Sequence, residues 1–294
     1  MTKPSGTVLD GGSRPEGRGA GTEPRTTLAE SAAAQPMHLG LVRWIGFRTI
    51  VLREYQRIIR IWTQTILPSA VTQALYFAIF GGLLGSRVGP MGGFGYMEYI
   101  APGLIMMSVN INSYSNVVSS FYGAKWGKHV EELLVSPLPS WLIVLGYVTG
   151  GLVRGLLVGI AVTGVSLLFT HLHVLHPLII LGAVLLTSLT FALGGFLNAL
   201  FAKNFDQVNI IPTFVLTPLN YFGGVFYSVA LLPHWAQAIS YFNPILYMIN
   251  AFRYGFLGVS DVNVGTAFAI MAGSVVVLFI AAIVLMERGS GIRE

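Results

Sequence analysis

The chain has 294 residues, of which 54% are hydrophobic and only 10% are charged, and its mean hydropathy is +0.70. A soluble core of this size cannot enclose so much apolar surface, so the composition excludes a water-soluble globular protein and predicts a membrane protein. The net charge of +5 comes from basic residues at the ends of apolar runs. This distribution favours lipid headgroups, and not nucleic acid, as the partner. The absence of cysteine excludes disulfides and thiolate metal sites.

Residues 1–38 are predicted to be a disordered cytoplasmic tail. The first 36 residues contain no aromatic side chain and are rich in Gly, Pro, Ser and Thr, so they cannot bury enough surface to offset their chain entropy. They also lack the continuous apolar core of a signal peptide, and we expect insertion without cleavage. Residues 39–294 are predicted to form one transmembrane domain.

Residues 39–61 have helical periodicity and predict an amphipathic interfacial helix. Its predicted apolar side carries Trp44, Phe47, Val51, Leu52, Tyr55, Ile58, Ile59 and Ile61. Its basic side carries Arg43, Arg53, Arg57 and Arg60, and only Arg48 breaks the pattern. We expect the basic side to face headgroups and water. The alternative, an extended start of the first span, would place the arginines in lipid.

Six apolar runs are long enough for transmembrane helices, which need about 20 residues. They cover residues 65–84, 99–122, 141–169, 178–201, 208–226 and 264–286. Fourteen of the 17 Lys and Arg residues lie in the tail, the interfacial helix, the second and fourth connections and the C-terminus. Because cytoplasmic loops carry excess positive charge, this bias predicts a multi-pass protein of the inner (plasma) membrane with both termini cytoplasmic.

The segment 228–258 is too apolar for an ordinary loop, but Pro233, Asn243-Pro244 and Gly255 divide it into pieces too short to cross a bilayer. We expect two short re-entrant helices in the outer leaflet between spans five and six, because two further spans would need longer apolar runs. Pro233 suits a first helical turn. On that helix Trp235, Ile239 and Phe242 share one face.

The second connection, residues 128–139, predicts a short amphipathic cytoplasmic helix that stops at Pro137. Its apolar side carries Val130, Leu133 and Leu134, and its polar side carries Lys128, Glu131 and Glu132. Such a helix would lie across the cytoplasmic ends of two spans. The alternative is a solvated turn whose charges only reflect topology.

Polar residues inside the spans are the candidates for a substrate pathway. Asn112 and Asn116 belong to a second span that is also rich in serine, where hydrogen bonding between helices is the alternative role. Arg154, in the glycine-rich third span, costs roughly 2.5–3.5 kcal/mol in lipid and should face protein or a cavity. Glycines spaced four apart in that span predict close helix packing. His171, His173 and His176 lack carboxylate or thiolate neighbours and fit interfacial residues better than a zinc site.

Three motifs together resemble the ABC-2 type permeases, the membrane subunits of bacterial ATP-driven exporters. Residues 131–138 (EELLVSPL) resemble the coupling-helix motif of that family. Leu232-Pro233-His234-Trp235, Asn243-Pro244 and Arg253 resemble its extracytoplasmic motif. Residues 222–227 are similar to the preceding segment, although a serine is commoner where Gly223 stands. The resemblance covers residues 41–288.

The resemblance implies an export half-channel that pairs with a second copy and with two cytosolic ATPase subunits. It implies ATPase coupling for Val130, Glu131, Glu132, Leu133 and Leu134, and an outer gate for Pro233, Trp235, Asn243, Pro244 and Arg253. Its cargo would be amphipathic or lipid-linked: a drug, a glycolipid, a polysaccharide or a nodulation-type lipo-oligosaccharide. The chain lacks the phosphate loop G-x-x-x-x-G-K-[ST]. We therefore expect no catalytic site, metal or cofactor in this chain, with ATP and Mg held by the partner ATPase.

Two other function classes remain as alternatives. An ion-coupled secondary transporter needs intramembrane acids, but every Asp and Glu lies in the tail, the interfacial helix, a connection or a span end. A membrane-embedded enzyme acting on lipids needs a catalytic cluster, and only the three histidines come close to one.

Overall fold

The computed structural model describes residues 39–81 and 85–289, and the predicted disordered tail, 1–38, lies outside the described residues. Within the described ranges every extended regular element is a helix, and the only β-type pairing is an isolated bridge between Met91 and Phe94. The predicted all-α fold is confirmed.

The helices follow one another with short connections. They are α1 Leu39–Arg60, α2 Trp62–Ile79, α3 Tyr96–Trp126, α4 His129–Val135, α5 Ser140–Ser166, α6 Pro177–Phe201, α7 Phe205–Ile211, α8 Thr217–Phe222, α9 His234–Phe242, α10 Pro244–Leu257 and α11 Val264–Glu287. A single turn, Gly85–Val88, precedes α3, and a 3₁₀ turn, Val229–Leu231, precedes α9.

In the described part of the chain, three helices are long and apolar enough to cross a membrane, judged by length and composition: α5, α6 and α11. They correspond to the third, fourth and sixth predicted spans. Helix α2 has only 18 residues with Pro68 inside it, and α3 has 31 residues but carries several polar side chains. The six-span topology therefore stays a prediction.

The fifth predicted span is not one continuous α-helix. A π-helical segment, Pro212–Leu216, joins α7 to α8. Pro212 has no backbone N–H and cannot continue the α-helical hydrogen-bond pattern. The Thr217 hydroxyl donates to the carbonyl of Pro212, five residues back, at 3.0 Å. Helix α8 ends at Gly223, and Gly224 follows in the left-handed conformation with φ +74°. The span as predicted, 208–226, is therefore interrupted and ends early.

Helix α3 lies at the centre of the bundle, where 22 of its 31 residues are buried. It packs chiefly against α5, α6 and α10. Glycines permit the close approach: a Cβ at Gly151 would lie 2.9 Å from the carbonyl oxygen of Ser113, and one at Gly195 would lie 2.5 Å from that of Tyr114. The predicted packing role of the glycines in the third span is confirmed. Because α3 contacts protein on most sides, it can carry polar residues.

Helix α1 packs on α5 through Ile50, Glu54 and Ile58, which are spaced four residues apart and buried. The opposing glycines are Gly146 and Gly150, where an added Cβ would lie 2.6 Å from Ile50 Cγ2 and 2.8 Å from Glu54 Oε2 respectively.

The predicted orientation of α1 is therefore partly wrong. Trp44, Leu52, Tyr55 and Ile59 of the predicted apolar side are exposed, which agrees with a side that faces lipid. Arg57, expected to face water, contacts α3 instead, while Arg43, Arg53 and Arg60 are exposed as predicted. The cause is that the glycines of α5 select the contact face of α1, which hydrophobic periodicity alone does not reveal.

The segment 228–258 contains two short helices, as predicted. Helix α9 has 9 residues and α10 has 14, fewer than the ~20 needed to cross a bilayer. The Asn243 side chain accepts from the N–H of Ile245 at 3.0 Å, Pro244 takes the first helical position, and α10 ends at Gly258 with φ +71°. Their location in the outer leaflet stays a prediction.

Candidate functional site

Helix α4 follows α3 after a sharp change of direction at Lys128, the only non-glycine residue with positive φ (59°) among the described residues. Val130 is only 1% exposed, and Leu133 packs partly buried against the core. Glu131 and Glu132 are exposed, and as acids in the first turn they also favour the helix dipole. The predicted amphipathic helix is confirmed for these residues.

The end of α4 projects away from the bundle. Val135 is 88% exposed, although it is apolar. The Ser136 hydroxyl donates to the carbonyl of Leu133 at 2.6 Å and helps to end the helix. The side chain of Leu134, which the family resemblance assigned to coupling, lies outside the described part of the structure. Helix α4 is thus attached on one side and open on the other.

A groove of about 320 Å³ runs between α4 and the interfacial helix α1. Its lining includes Arg53 of α1 and His129, Glu132 and Leu133 of α4. The groove therefore offers a basic group, an acidic group and an apolar wall to a binding partner.

The base of α4 is fixed to the bundle through Lys125, near the end of α3. Its ammonium group donates to the carbonyls of Leu200 at 2.8 Å and Ala202 at 2.9 Å, where α6 ends. These carbonyls have no partner within their own helix, and a cation there is favoured by the helix dipole. Any force on α4 would therefore act on α3 and α6 together.

A polar cluster joins α1 to α3. Arg57 donates through Nη2 to the carbonyl of Asn116 at 2.8 Å and to its side-chain oxygen at 2.9 Å. The same nitrogen lies 3.3 Å from Glu54 Oε2. Glu54 is only 2% exposed and also accepts from the Ser120 hydroxyl. A buried carboxylate requires such pairing, because an isolated charge would lose its hydration without compensation.

The cluster continues one turn along α3. Arg154 of α5 donates to the side-chain oxygen of Asn112 at 3.0 Å. The Asn112 amide donates to Ser69 Oγ of α2 at 2.9 Å and to the carbonyl of Ser108, also at 2.9 Å. Gln73 of α2 donates to Ser108 Oγ at 2.6 Å. The three predicted pathway residues, Asn112, Asn116 and Arg154, therefore belong to one cluster that contacts α1, α2 and α5.

The sequence prediction missed Glu54, Arg57 and Gln73 as members of this polar cluster. The available signal was the series Ile50, Glu54, Ile58, in which an acid occupies the middle of an i, i+4 row of isoleucines. Three buried nitrogens in the cluster have no hydrogen-bond partner: Arg57 Nε, Asn116 Nδ2 and Arg154 Nε.

Arg253 of α10 is fully buried, with 0% exposure. Its Nη2 donates to the carbonyl of Gly224 at 2.6 Å, and its Nε to that of Tyr99 at 3.3 Å. Nη1 donates to the Tyr99 hydroxyl at 3.0 Å, and the guanidinium carbon lies 4.0 Å from the centre of the Tyr99 ring. Arg253 thus bonds two backbone carbonyls and one hydroxyl. These bonds tie α10 to α3 and to the turn after α8.

The other predicted gate residues divide into two groups. Asn243 donates to the carbonyl of Leu219 at 2.6 Å and, with Pro244, anchors the start of α10 to α8. Pro233 precedes α9 and accepts from the N–H of Ala236 at 2.9 Å. Trp235 is exposed and contributes to the outer surface of α9. The structure therefore gives Asn243, Pro244 and Arg253 a role in bracing the turn.

The three histidines of the connection between α5 and α6 are exposed. The His176 ring stacks on Tyr254 with 5.2 Å between centroids and 11° between planes. Among the described residues no group of three or more His, Cys, Asp or Glu side chains is placed to hold a metal ion.

Comparisons with known proteins agree with these features. The family model described as ABC-2 type transporter matches residues 46–257. The chain is 50% identical over 258 residues to the inner membrane transport permease YadH of Escherichia coli (strain K12), covering 88% of this chain and 100% of that protein. It is 26% identical over 225 residues to nodulation protein J of Rhizobium leguminosarum bv. viciae, covering 76% and 87% respectively. With most of its length matched by the family model, and with half of its aligned residues identical to a full-length permease, the chain belongs to the ABC-2 type transporter family.

Proposed function

We propose that this chain is the permease subunit of an ATP-driven exporter in the inner membrane. Two copies would form the passage, and two separate cytosolic ATPase subunits would bind ATP and Mg. Membership of the family and the name of the relative YadH, an inner membrane transport permease, support this proposal. The main supporting observation is the two-sided character of α4. Val130 and Leu133 pack on the bundle, whereas Glu131 and Glu132 are exposed beside a groove.

Few contacts separate the proposed ATPase-binding groove from the central helix α3. An ATPase bound in the groove between α1 and α4 would contact two elements that both lead to α3. Helix α4 is continuous with the end of α3, where Lys125 also engages α6. Helix α1 reaches α3 through Arg57 and Asn116. Closure of the ATPase pair would therefore tilt α1 and α4 and move α3 as a unit.

The cargo would pass the polar side of α3 formed around Asn112 and Asn116. Movement of α3 would have to uncover the buried donors of Arg57, Asn116 and Arg154, which would then meet hydroxyl, carboxylate or phosphate oxygens on an amphipathic or lipid-linked molecule. A drug, a glycolipid and a polysaccharide all fit this description. Exposed apolar side chains on α9, such as Trp235 and Phe242, would contact the apolar part of such a molecule or the membrane.

The alternative of ion-coupled transport requires an acid that changes protonation during the cycle. Glu54 is the only acid that is buried among the described residues, and it is held by Arg57 and Ser120. These contacts join Glu54 to Arg57 of its own helix and to Ser120 of α3. This arrangement supports a structural ion pair and favours the ATP-driven proposal.

The deciding experiment is purification of the chain alone and together with its ATPase. We expect the chain alone to show no ATP binding and no hydrolysis, and the complex to contain two copies of each subunit by mass. Hydrolysis by the complex should rise when transported cargo is added to proteoliposomes. Saturable hydrolysis by the isolated chain, abolished by substitutions within it, would contradict the proposal.

A further inference from the structure

A second cavity lies beside the C-terminal half of α5. It has a volume of about 540 Å³. Its floor is formed by Phe252 and Phe256 of α10, which are buried and whose rings meet edge to face at 5.1 Å. Its walls include Ile160 of α5, Leu181 of α6 and Val174 of the connection, all exposed. The cavity shares no lining residue with the polar cluster.

The lining is suited to hydrocarbon alone. Apart from glycines and one threonine, all the described lining residues have apolar side chains. The Thr163 hydroxyl already donates to the carbonyl of Gly159 at 2.7 Å. A polar ligand would therefore lose its hydration here without gaining a hydrogen bond, which opposes binding.

The opening lies between two helices with the properties of membrane spans. The two helices that border it, α5 and α6, are both long and apolar enough to cross a bilayer. The cavity begins at the end of α5 and reaches down to Leu156, a depth of about 15 Å at ~1.5 Å per residue. The volume lies within the range of about 300–1,000 Å³ for small-molecule sites. It would hold little more than one turn of a helix ~10 Å wide, too little to seat a helix of another protein.

The connection that closes the cavity is tied to the same helix that forms its floor. The backbone N–H groups of Leu175 and His176 both donate to the carbonyl of Gly255, at 3.1 Å and 2.9 Å. The His176 ring also stacks on Tyr254. The connection between α5 and α6 is thus fixed to α10. This connection carries the polar side chains His171, His173 and His176, and it begins where α5 ends.

We propose that this cavity binds one acyl chain of a bilayer phospholipid, with the headgroup beside the 171–176 segment. The chain would pack on Phe252 and Phe256 and so stabilise α10, whose Arg253 holds Tyr99 and Gly224. A bound lipid would in this way act as a structural component of the outer region. The inference does not depend on ATP-driven export.

Gly164 provides a specific test, because an added Cβ at this lining position meets no atom within 4 Å. Gly164→Leu should fill the cavity without displacing protein atoms. The matched control is Gly273→Leu in α11, another helical glycine with open space around its Cβ position and no part in the cavity lining. Both variants should fold, since each replaces a helical glycine by a better helix former.

The measurement uses vesicles of phosphatidylcholine and phosphatidylglycerol that contain a phospholipid with a diazirine in one acyl chain. After irradiation, peptides from the ends of α5 and α10 should be cross-linked several-fold more than the exposed face of α11 around Val277 and Ile280. Gly164→Leu should lower this cross-linking to the α11 level, and Gly273→Leu should leave it unchanged.

Cross-linking at the α11 level in the parent chain, or equal cross-linking in the Gly164→Leu variant, would overturn the proposal. The chain has no cysteine, so a Gly164→Cys variant also tests the competing occupant. Efficient disulfide formation between two copies through position 164 would show that a second copy, and not a lipid, covers the cavity.

Discussion

The guanidinium of Arg57 holds both oxygens of Asn116, at 2.8 Å for the backbone carbonyl and 2.9 Å for the side-chain amide. The two residues are 59 positions apart, and they join the interfacial helix to the central helix of the bundle. Glu54 completes the contact from the turn before Arg57.

Removal of one member of the Glu54–Arg57 pair should destabilise the protein more than removal of both. Arg57→Ala leaves a buried carboxylate without its cation, which costs on the order of 3–5 kcal/mol. The double variant Glu54→Gln, Arg57→Ala should recover part of that loss. The measurement is the free energy of unfolding by SDS in mixed micelles. Arg53→Ala, on the exposed side of the same helix, is the control and should change stability by less than ~0.5 kcal/mol.

Gly150→Ala should disturb the same junction from α5. The new Cβ would lie 2.8 Å from Glu54 Oε2 and 2.9 Å from Asn116 Nδ2, so these groups must move. Such overpacking typically costs about 1–3 kcal/mol. Gly273→Ala, where nothing lies within 4 Å, should instead be neutral or slightly stabilising. Equal unfolding midpoints for the two variants would show that α1 does not pack on α5 at this glycine.

Glu132→Arg should weaken ATPase binding without affecting insertion. The residue lines the groove between α1 and α4, and a reversed charge in a docked interface costs on the order of 2–5 kcal/mol. Leu134→Asp and Val135→Asp test the same helix by adding a carboxylate. The measurements are ATPase pull-down and cargo-stimulated hydrolysis, with His173→Ala as the control in a distant exposed connection. Normal assembly in all three variants would show that the ATPase does not dock on α4.

Single cysteines can test the predicted topology, because the chain contains none. Val135, at 88% exposure, is a suitable position on α4, whereas Val130, at 1%, would be shielded from any reagent. An impermeant maleimide added to intact cells should label Val174→Cys, in the exposed connection between α5 and α6, and not Val135→Cys. Both should react after the membrane is opened. Labelling of position 135 from outside would reverse the predicted orientation.

Arg253→Met should lower the free energy of unfolding, because it removes the charged donors that join α10 to Gly224 and Tyr99. Hydrogen bonds to charged groups contribute about 1.5–3 kcal/mol each, so the loss should be ~3 kcal/mol or more. Tyr99→Phe, which removes only the hydroxyl partner, should cost about 1.5–3 kcal/mol. The free energy of unfolding measures the loss for each variant. Arg87→Met, at an exposed arginine, is the control and should have almost no effect. A loss for Arg253→Met no greater than that for Arg87→Met would show that these bonds contribute little.

Much of the local structure was predictable because local chemistry determines it. Pro233 and Asn243-Pro244 begin helices through missing donors and side-chain caps, and these effects act within a few residues. The expected break at Gly255 was wrong, because Gly255 lies inside α10 and the helix ends at Gly258 with positive φ. Apolar run length identified α5, α6 and α11 as helices able to cross a membrane. The alternation of Val130 and Leu133 with Glu131 and Glu132 identified α4 and its two sides.

The tertiary structure alone decided which neighbour each surface meets. Glu54 and Arg57 face the bundle because Gly146 and Gly150, almost a hundred residues away, leave room for α1 on α5. One cluster contains Asn112, Asn116 and Arg154 because α5 packs beside α3 with Arg154 next to Asn112. The apolar cavity beside Gly164 exists because four separate segments leave space around a missing side chain. Such contacts join residues distant in the chain, and periodicity within one segment carries no information about them.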